Sequence, residues 1–134
     1  MSAAVVPAWL MLVLAPRARI TERLVLSGLY PLAFAVVYLA LILAFYPGAQ
    51  GGFDSLAGVD RLFRNPYLLL AGWIHYLAFD LFVGAWEVRD AAARRVTHFL
   101  VIPCLVLTCL FGPIGLLVYF ATRAVASSRR EVAS

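Results

Sequence analysis

The chain has 134 residues, of which 64% are hydrophobic and 13% charged, and its net charge of +4 includes eleven arginines and no lysine. A soluble domain of this size needs more polar side chains than that to cover its surface, so composition excludes an ordinary water-soluble domain and predicts that most of the exterior faces lipid. The arginines lie between or after apolar runs, where they read as membrane-interface anchors, and a nucleic-acid role is not expected.

A bilayer core about 30 Å thick needs about 20 apolar residues per helix. Four such segments with short connections use nearly the whole chain, which predicts one all-α domain, a four-helix transmembrane bundle. The first span, residues 1–15, contains Pro7 and is short or truncated at its start. Pro16, Arg17, Arg19 and Arg23 follow as a polar turn, with Thr21 expected to cap the next helix. The second span covers 24–46 and is closed by Pro47 and Gly48. Residues 47–65 form a long connection whose mixture of turn and apolar residues predicts a short amphipathic helix folded back on the bundle.

Asn65-Pro66 starts the third span, which is expected to run to Trp86, and a charged linker, Glu87 to His98, follows it. Within that linker Asp90 and Arg94 are spaced to pair at i,i+4. The fourth span, 99–122, carries Pro103 and Gly112-Pro113, both read as kinks. With the amino terminus outside, the two inner loops hold Arg17, Arg19, Arg23, Arg89, Arg94 and Arg95, which fits the positive-inside preference narrowly. Cys104 and Cys109 share one helix and point about 140° apart, so they cannot bridge each other.

Ionisable residues inside an apolar span are costly and are functional candidates by default. The third span holds His75, Asp80 and Glu87, and its helical period places Trp73, Tyr76, Asp80 and Glu87 on one stripe expected to face the interior. Burial could hold such carboxylates in a shifted protonation state, as acid or base sites do; the same residues could equally pin helix register through bonds to Tyr and Thr hydroxyls. In the fourth span Cys104, Thr108, Gly112, Gly115 and Tyr119 share a side, and so small a set of side chains suits either helix packing or a groove for an elongated apolar ligand. His75 and His98 sit at different depths, which argues against one bis-histidine haem, and no nucleotide loop, metal cluster or serine triad is present in the sequence, so neither cofactor nor metal is expected.

The stretch Asn65-Pro66-Tyr67 through Gly72-Trp73-Ile74-His75-Tyr76-Leu77-Ala78-Phe79-Asp80-Leu81-Phe82-Val83-Gly84, together with Pro103-Cys104, Phe111-Gly112-Pro113-Ile114-Gly115 and Gly52-Phe53, resembles the ABA4-like family. That family takes its name from a plant plastid membrane protein required for making neoxanthin. The resemblance implies a four-helix membrane fold and a link to xanthophylls, and the arginine- and alanine-rich composition looks bacterial, which points to an inner membrane. The chemistry it implies is isomerisation of an epoxy-carotenoid or related isoprenoid without a cofactor. An acid protonates the epoxide oxygen while a base removes a proton from the side chain beside the ring.

On that reading Asp80 is acid or base, His75 its complement and Glu87 a second carboxylate, while Trp73, Tyr76, Phe79, Thr108 and Gly112 hold the substrate. The alternative is a non-catalytic scaffold or pigment-binding module in which the same residues set register. Its partners would be membrane lipid and carotenoid, with a second copy or a partner enzyme left open.

Overall fold

The computed structural model describes residues 3–133, with side chains from 3 to 128, and all secondary structure among them is helical. The helices are α1 (Val6–Leu14), α2 (Arg19–Thr21) continued by a π-helical turn (Glu22–Leu26), α3 (Leu29–Phe45), α4 (Leu56–Phe63), α5 (Pro66–Ala93), α6 (His98–Phe111) and α7 (Pro113–Ala133). They fall into two compact units, Met1–Leu29 with Asp80–Ser134, and Tyr30–Phe79, and α5 contributes a half to each.

In the Tyr30–Phe79 unit, the expected short helix of the long connection is α4. Ser55 starts it, because its extended backbone lets Oγ accept the Gly58 N–H at 3.1 Å. Asn65 starts α5 in the same way, its side-chain oxygen accepting the Tyr67 N–H at 3.0 Å ahead of the helix that Pro66 opens. Aromatic pairs fasten the unit: Phe45 stacks on Tyr67 at 4.1 Å and Tyr46 on Phe53 at 6.2 Å. The only buried residue of α3 is Pro31, so Leu32, Val36, Leu39 and Leu43 present their apolar side chains outward. An apolar face of this extent marks a surface that lipid or another protein covers.

The other unit is built on the second half of α5. Trp9 of α1 lies on Gly84, where an added β-carbon would come within 2.7 Å of the indole, and His98 Nε2 is 3.0 Å from the Val13 carbonyl. Thr21 does not cap a helix: it is fully buried, and its hydroxyl donates to the Ala15 carbonyl at 2.7 Å, tying the turn after α1. Nor is Glu87 to His98 a linker. The helix continues to Ala93 because Glu87 and Val88 are buried and Ala91 to Ala93 are strong helix formers.

α5 ends in a Schellman motif, with Val96 N–H bonded to the Ala91 carbonyl at 2.8 Å and Arg95 N–H to Ala92 at 3.2 Å. The left-handed position of that motif, usually glycine, is here Arg95 at φ 55°.

The largest departure from expectation is at 99–122, which is not one kinked span. Gly112, at φ 45° and ψ −96°, reverses the chain between α6 and α7, a turn that a residue with a β-carbon resists. The two helices then lie side by side and antiparallel, with Cys104 Sγ 3.7 Å from Thr122 Oγ1 and Gly115 packed directly on Thr108. Small residues allow the close approach, and Cys104, Thr108 and Tyr119 are all fully buried along the seam.

The hairpin also carries Arg123 back to Asp90, so the middle of α7 lies beside the arginine-bearing end of α5. Among the described residues two stretches, Arg19–Phe45 and Pro66–Ala93, are long and apolar enough to cross a membrane, whereas His98–Phe111 is apolar but short and α1 has 9 residues.

Two stability effects follow from these backbone positions. Gly112→Ala should lose at least about 1–2 kcal/mol, because the turn strains any β-carbon and this one would lie 2.8 Å from Asp80 Oδ1. Arg95→Gly should gain about 0.5–1 kcal/mol by relieving the left-handed arginine. Unfolding in detergent, followed by circular dichroism, measures both; a neutral Gly112→Ala would contradict the tight turn.

Candidate functional site

The polar residues of the third predicted span divide between the two units. In the unit holding the hairpin, Asp80 is 9% exposed and lies against the Gly112 turn. That places its carboxylate beside the first turn of α7, where the helix dipole and the unpaired amides favour an anion. Glu87 is fully buried; its Oε1 accepts the Thr108 hydroxyl at 2.9 Å, and its Oε2 has no hydrogen-bond partner among the described residues.

Farther along α5, Asp90 collects Tyr119 Oη at 2.7 Å, Arg94 Nε at 2.9 Å and Arg123 Nη1 at 3.1 Å. Arg123 also rests on the Phe120 ring at 4.5 Å. The Asp90–Arg94 pair was legible at i,i+4, but Tyr119 and Arg123 reach Asp90 only because of the hairpin. Thr108 and Gly112, expected to line a ligand groove, are instead consumed by helix packing: α7 fills the row of small residues.

The Tyr30–Phe79 unit has a different character. His75 is exposed, and its ring lies 5.4 Å from Tyr38 and 4.7 Å from Phe79. Trp73 is 48% exposed and lies 5.7 Å from Tyr76. The interior stripe expected of Trp73, Tyr76, Asp80 and Glu87 is therefore not continuous. Asp80 and Glu87 are buried and Trp73 is not, and the break falls where α5 passes from one compact unit to the other, between Phe79 and Asp80.

Phe63 of α4 lies on Gly72, with its ring edge 3.0 Å from where a β-carbon would stand. On one side of that contact is a cavity of about 150 Å³ walled by Tyr38, Ile42, Phe53, Leu68 and His75. On the other is an apolar groove of about 540 Å³ walled by Leu69, Leu70, Trp73 and Tyr76. Gly72 and Phe63 line both. A cavity of about 150 Å³ with apolar walls has room for one six-membered ring. Tyr38 is one of three tyrosines, with Tyr30 and Tyr46, that recur every eight residues along the second predicted span; that spacing reads as packing or an interface belt, and the structure places Tyr38 on the wall of this cavity.

The buried Glu87–Thr108 pair can be tested by removing one partner at a time. Thr108→Val leaves a buried carboxyl without its donor and should cost about 1–3 kcal/mol, whereas Glu87→Gln keeps an acceptor for the hydroxyl and should leave the thermal midpoint unchanged or higher. Equal losses in both variants would show that the carboxylate itself is required.

Comparison with known proteins agrees with the motif-bearing residues. The model of the ABA DEFICIENT 4-like family matches residues 1–119. Protein ABA DEFICIENT 4, chloroplastic, of Arabidopsis thaliana is 27% identical over 135 residues, which covers 94% of this chain and 60% of that protein. The chain thus spans about three-fifths of the length of that relative. No solved structure matches it. The chain belongs to the ABA4-like family.

Proposed function

We propose that the protein is an integral membrane protein that holds an epoxy-carotenoid or related isoprenoid in the apolar groove of the Tyr30–Phe79 unit and isomerises its ring end-group at His75. The observation that carries the reading is a ring-sized cavity in which His75 and Tyr38, 5.4 Å apart, are the polar side chains of an otherwise apolar wall. The adjoining groove beside Trp73 and Tyr76 has an apolar lining suited to the polyene next to the ring. Family membership and the name of the Arabidopsis relative, which refers to abscisic acid deficiency, support a carotenoid substrate. The outward apolar faces of two membrane-length helices support a location in the bilayer, where such a substrate dissolves.

The chemistry needs one base and one acid. The His75 imidazole takes the proton from the side-chain carbon next to the epoxide ring, and the freed electron pair forms a double bond to the ring carbon. The carbon–oxygen bond to that carbon breaks, and the Tyr38 hydroxyl supplies a proton to the oxygen. Return of the proton from the imidazolium to the phenolate restores both groups, so the conversion is a balanced isomerisation of epoxide to allenic alcohol. Asp80 and Glu87, buried against the hairpin, act by positioning α5 and do not meet the substrate on this reading.

A second reading keeps the groove and drops the reaction. It is favoured by the engagement of the Glu87 carboxyl with Thr108 and of Asp80 with the hairpin turn, which leaves the buried acids as register pins in a pigment-binding module.

Purified protein supplied with violaxanthin in liposomes separates the two. Allenic product from wild type, with His75→Gln and Tyr38→Phe each retaining bound pigment but losing about 10²-fold or more in rate, is the expected result. Pigment bound by wild type but unaltered favours the second reading, and undiminished turnover in His75→Gln contradicts the assigned base. The membrane location is checked separately: the protein should stay in the pellet when membranes are washed with alkaline carbonate.

A further inference from the structure

The hairpin unit carries a second recess that the carotenoid reading does not use. Two adjoining cavities, of about 240 and about 580 Å³, share Pro16, Arg17, Ala92, Val96 and His98. Arg17, Arg89 and Arg95 bring three guanidinium groups to their walls, against a single carboxylate, Glu22, at one edge. Arg89 is held in place by donating to the Leu26 carbonyl. His98 is held by its contact with the Val13 carbonyl.

Arg95 is the most informative of these residues. It occupies the left-handed position of the Schellman motif, which glycine or asparagine fills at lower cost, and that backbone geometry delivers a guanidinium to the recess. The recess therefore concentrates positive charge at a strained position while adjoining helices whose outer faces are apolar. A free soluble anion would need the charge alone. A lipid needs the charge beside an apolar wall, and the exposed Phe99 ring at the mouth of the larger cavity supplies one.

We propose that this recess binds the phosphate of an anionic phospholipid headgroup, with Arg17, Arg89 and Arg95 as its cationic partners and the acyl chains running beside Phe99. The assignment rests on the membrane location argued above and is independent of any reaction at His75.

The test uses the full chain in detergent and native mass spectrometry with phosphatidylglycerol, phosphatidylcholine and inorganic phosphate as separate probes. Wild type should retain phosphatidylglycerol and not phosphatidylcholine. The Arg17→Gln/Arg95→Asn double variant should bind phosphatidylglycerol about thirtyfold more weakly. Asparagine suits the left-handed backbone, so the fold is preserved in that variant. Arg61→Gln/Arg64→Gln, which removes the same charge from the other compact unit, should bind as wild type does.

Equal retention of both lipids, or equal weakening in both double variants, overturns a specific headgroup site. Binding of inorganic phosphate as tight as that of the lipid, with the same arginine dependence, overturns the lipid assignment. None of these outcomes depends on whether carbonate extraction or carotenoid turnover succeeds, so failure here is distinguishable from failure of the functional reading.

Discussion

The reversal of the chain at Gly112 is the constraint on which the hairpin unit depends. Once the chain turns there, α7 must lie along α6, Gly115 meets Thr108, and Tyr119 and Arg123 arrive at Asp90. Each consequence involves a polar group that would be costly to leave unpaired in an apolar setting. Glu87 with Thr108, and Asp90 with Tyr119 and Arg123, mark two successive levels of α5 at which the hairpin supplies a donor to a carboxylate, and Asp80 lies beside the turn itself. Removing the turn would take the Thr108 and Tyr119 hydroxyls and the Arg123 guanidinium from these carboxylates at once, which is why a backbone torsion at one glycine carries so much of the packing.

That arrangement also underlies the proposed assignment of the reaction to His75. A buried acid is a candidate catalyst only if a substrate can reach it, and the small residues that might have left a channel beside Asp80 and Glu87 are covered by α7. His75 lies instead in a unit with an open groove, a ring-sized cavity and a second polar side chain. Accessibility, more than charge, separates the imidazole from the carboxylates.

Much of the helical layout was legible in the residues. Asn65-Pro66 announced the start of α5, the mixture of turn and apolar residues in 47–65 announced α4, and the apolar runs located α1 and α3. The hairpin was not legible, because Phe111-Gly112-Pro113 permits either a kink or a reversal and hydropathy rises equally for one long span or two short arms. The end of α5 was misplaced for a related reason: Glu87, Arg89 and Asp90 look like a solvated linker until their partners on α6 and α7 and at Leu26 are known. Of the candidate site, the stripe on α5 drew attention to the helix that carries His75, yet its period could not reveal that Trp73 is exposed while Asp80 and Glu87 are buried.

The most direct test of this account is a cross-link across the hairpin. Cys104 is native and its sulfur lies 3.7 Å from the Thr122 hydroxyl, so Thr122→Cys in a Cys109→Ser background should form an intramolecular disulfide on mild oxidation, detected as a two-dalton mass loss reversed by reductant. In a single continuous helix those positions would stand about 27 Å apart. Rapid, near-complete closure is the predicted result, and a pair of thiols that stays free under membrane-permeant oxidant would contradict the hairpin and the site assignment built on it.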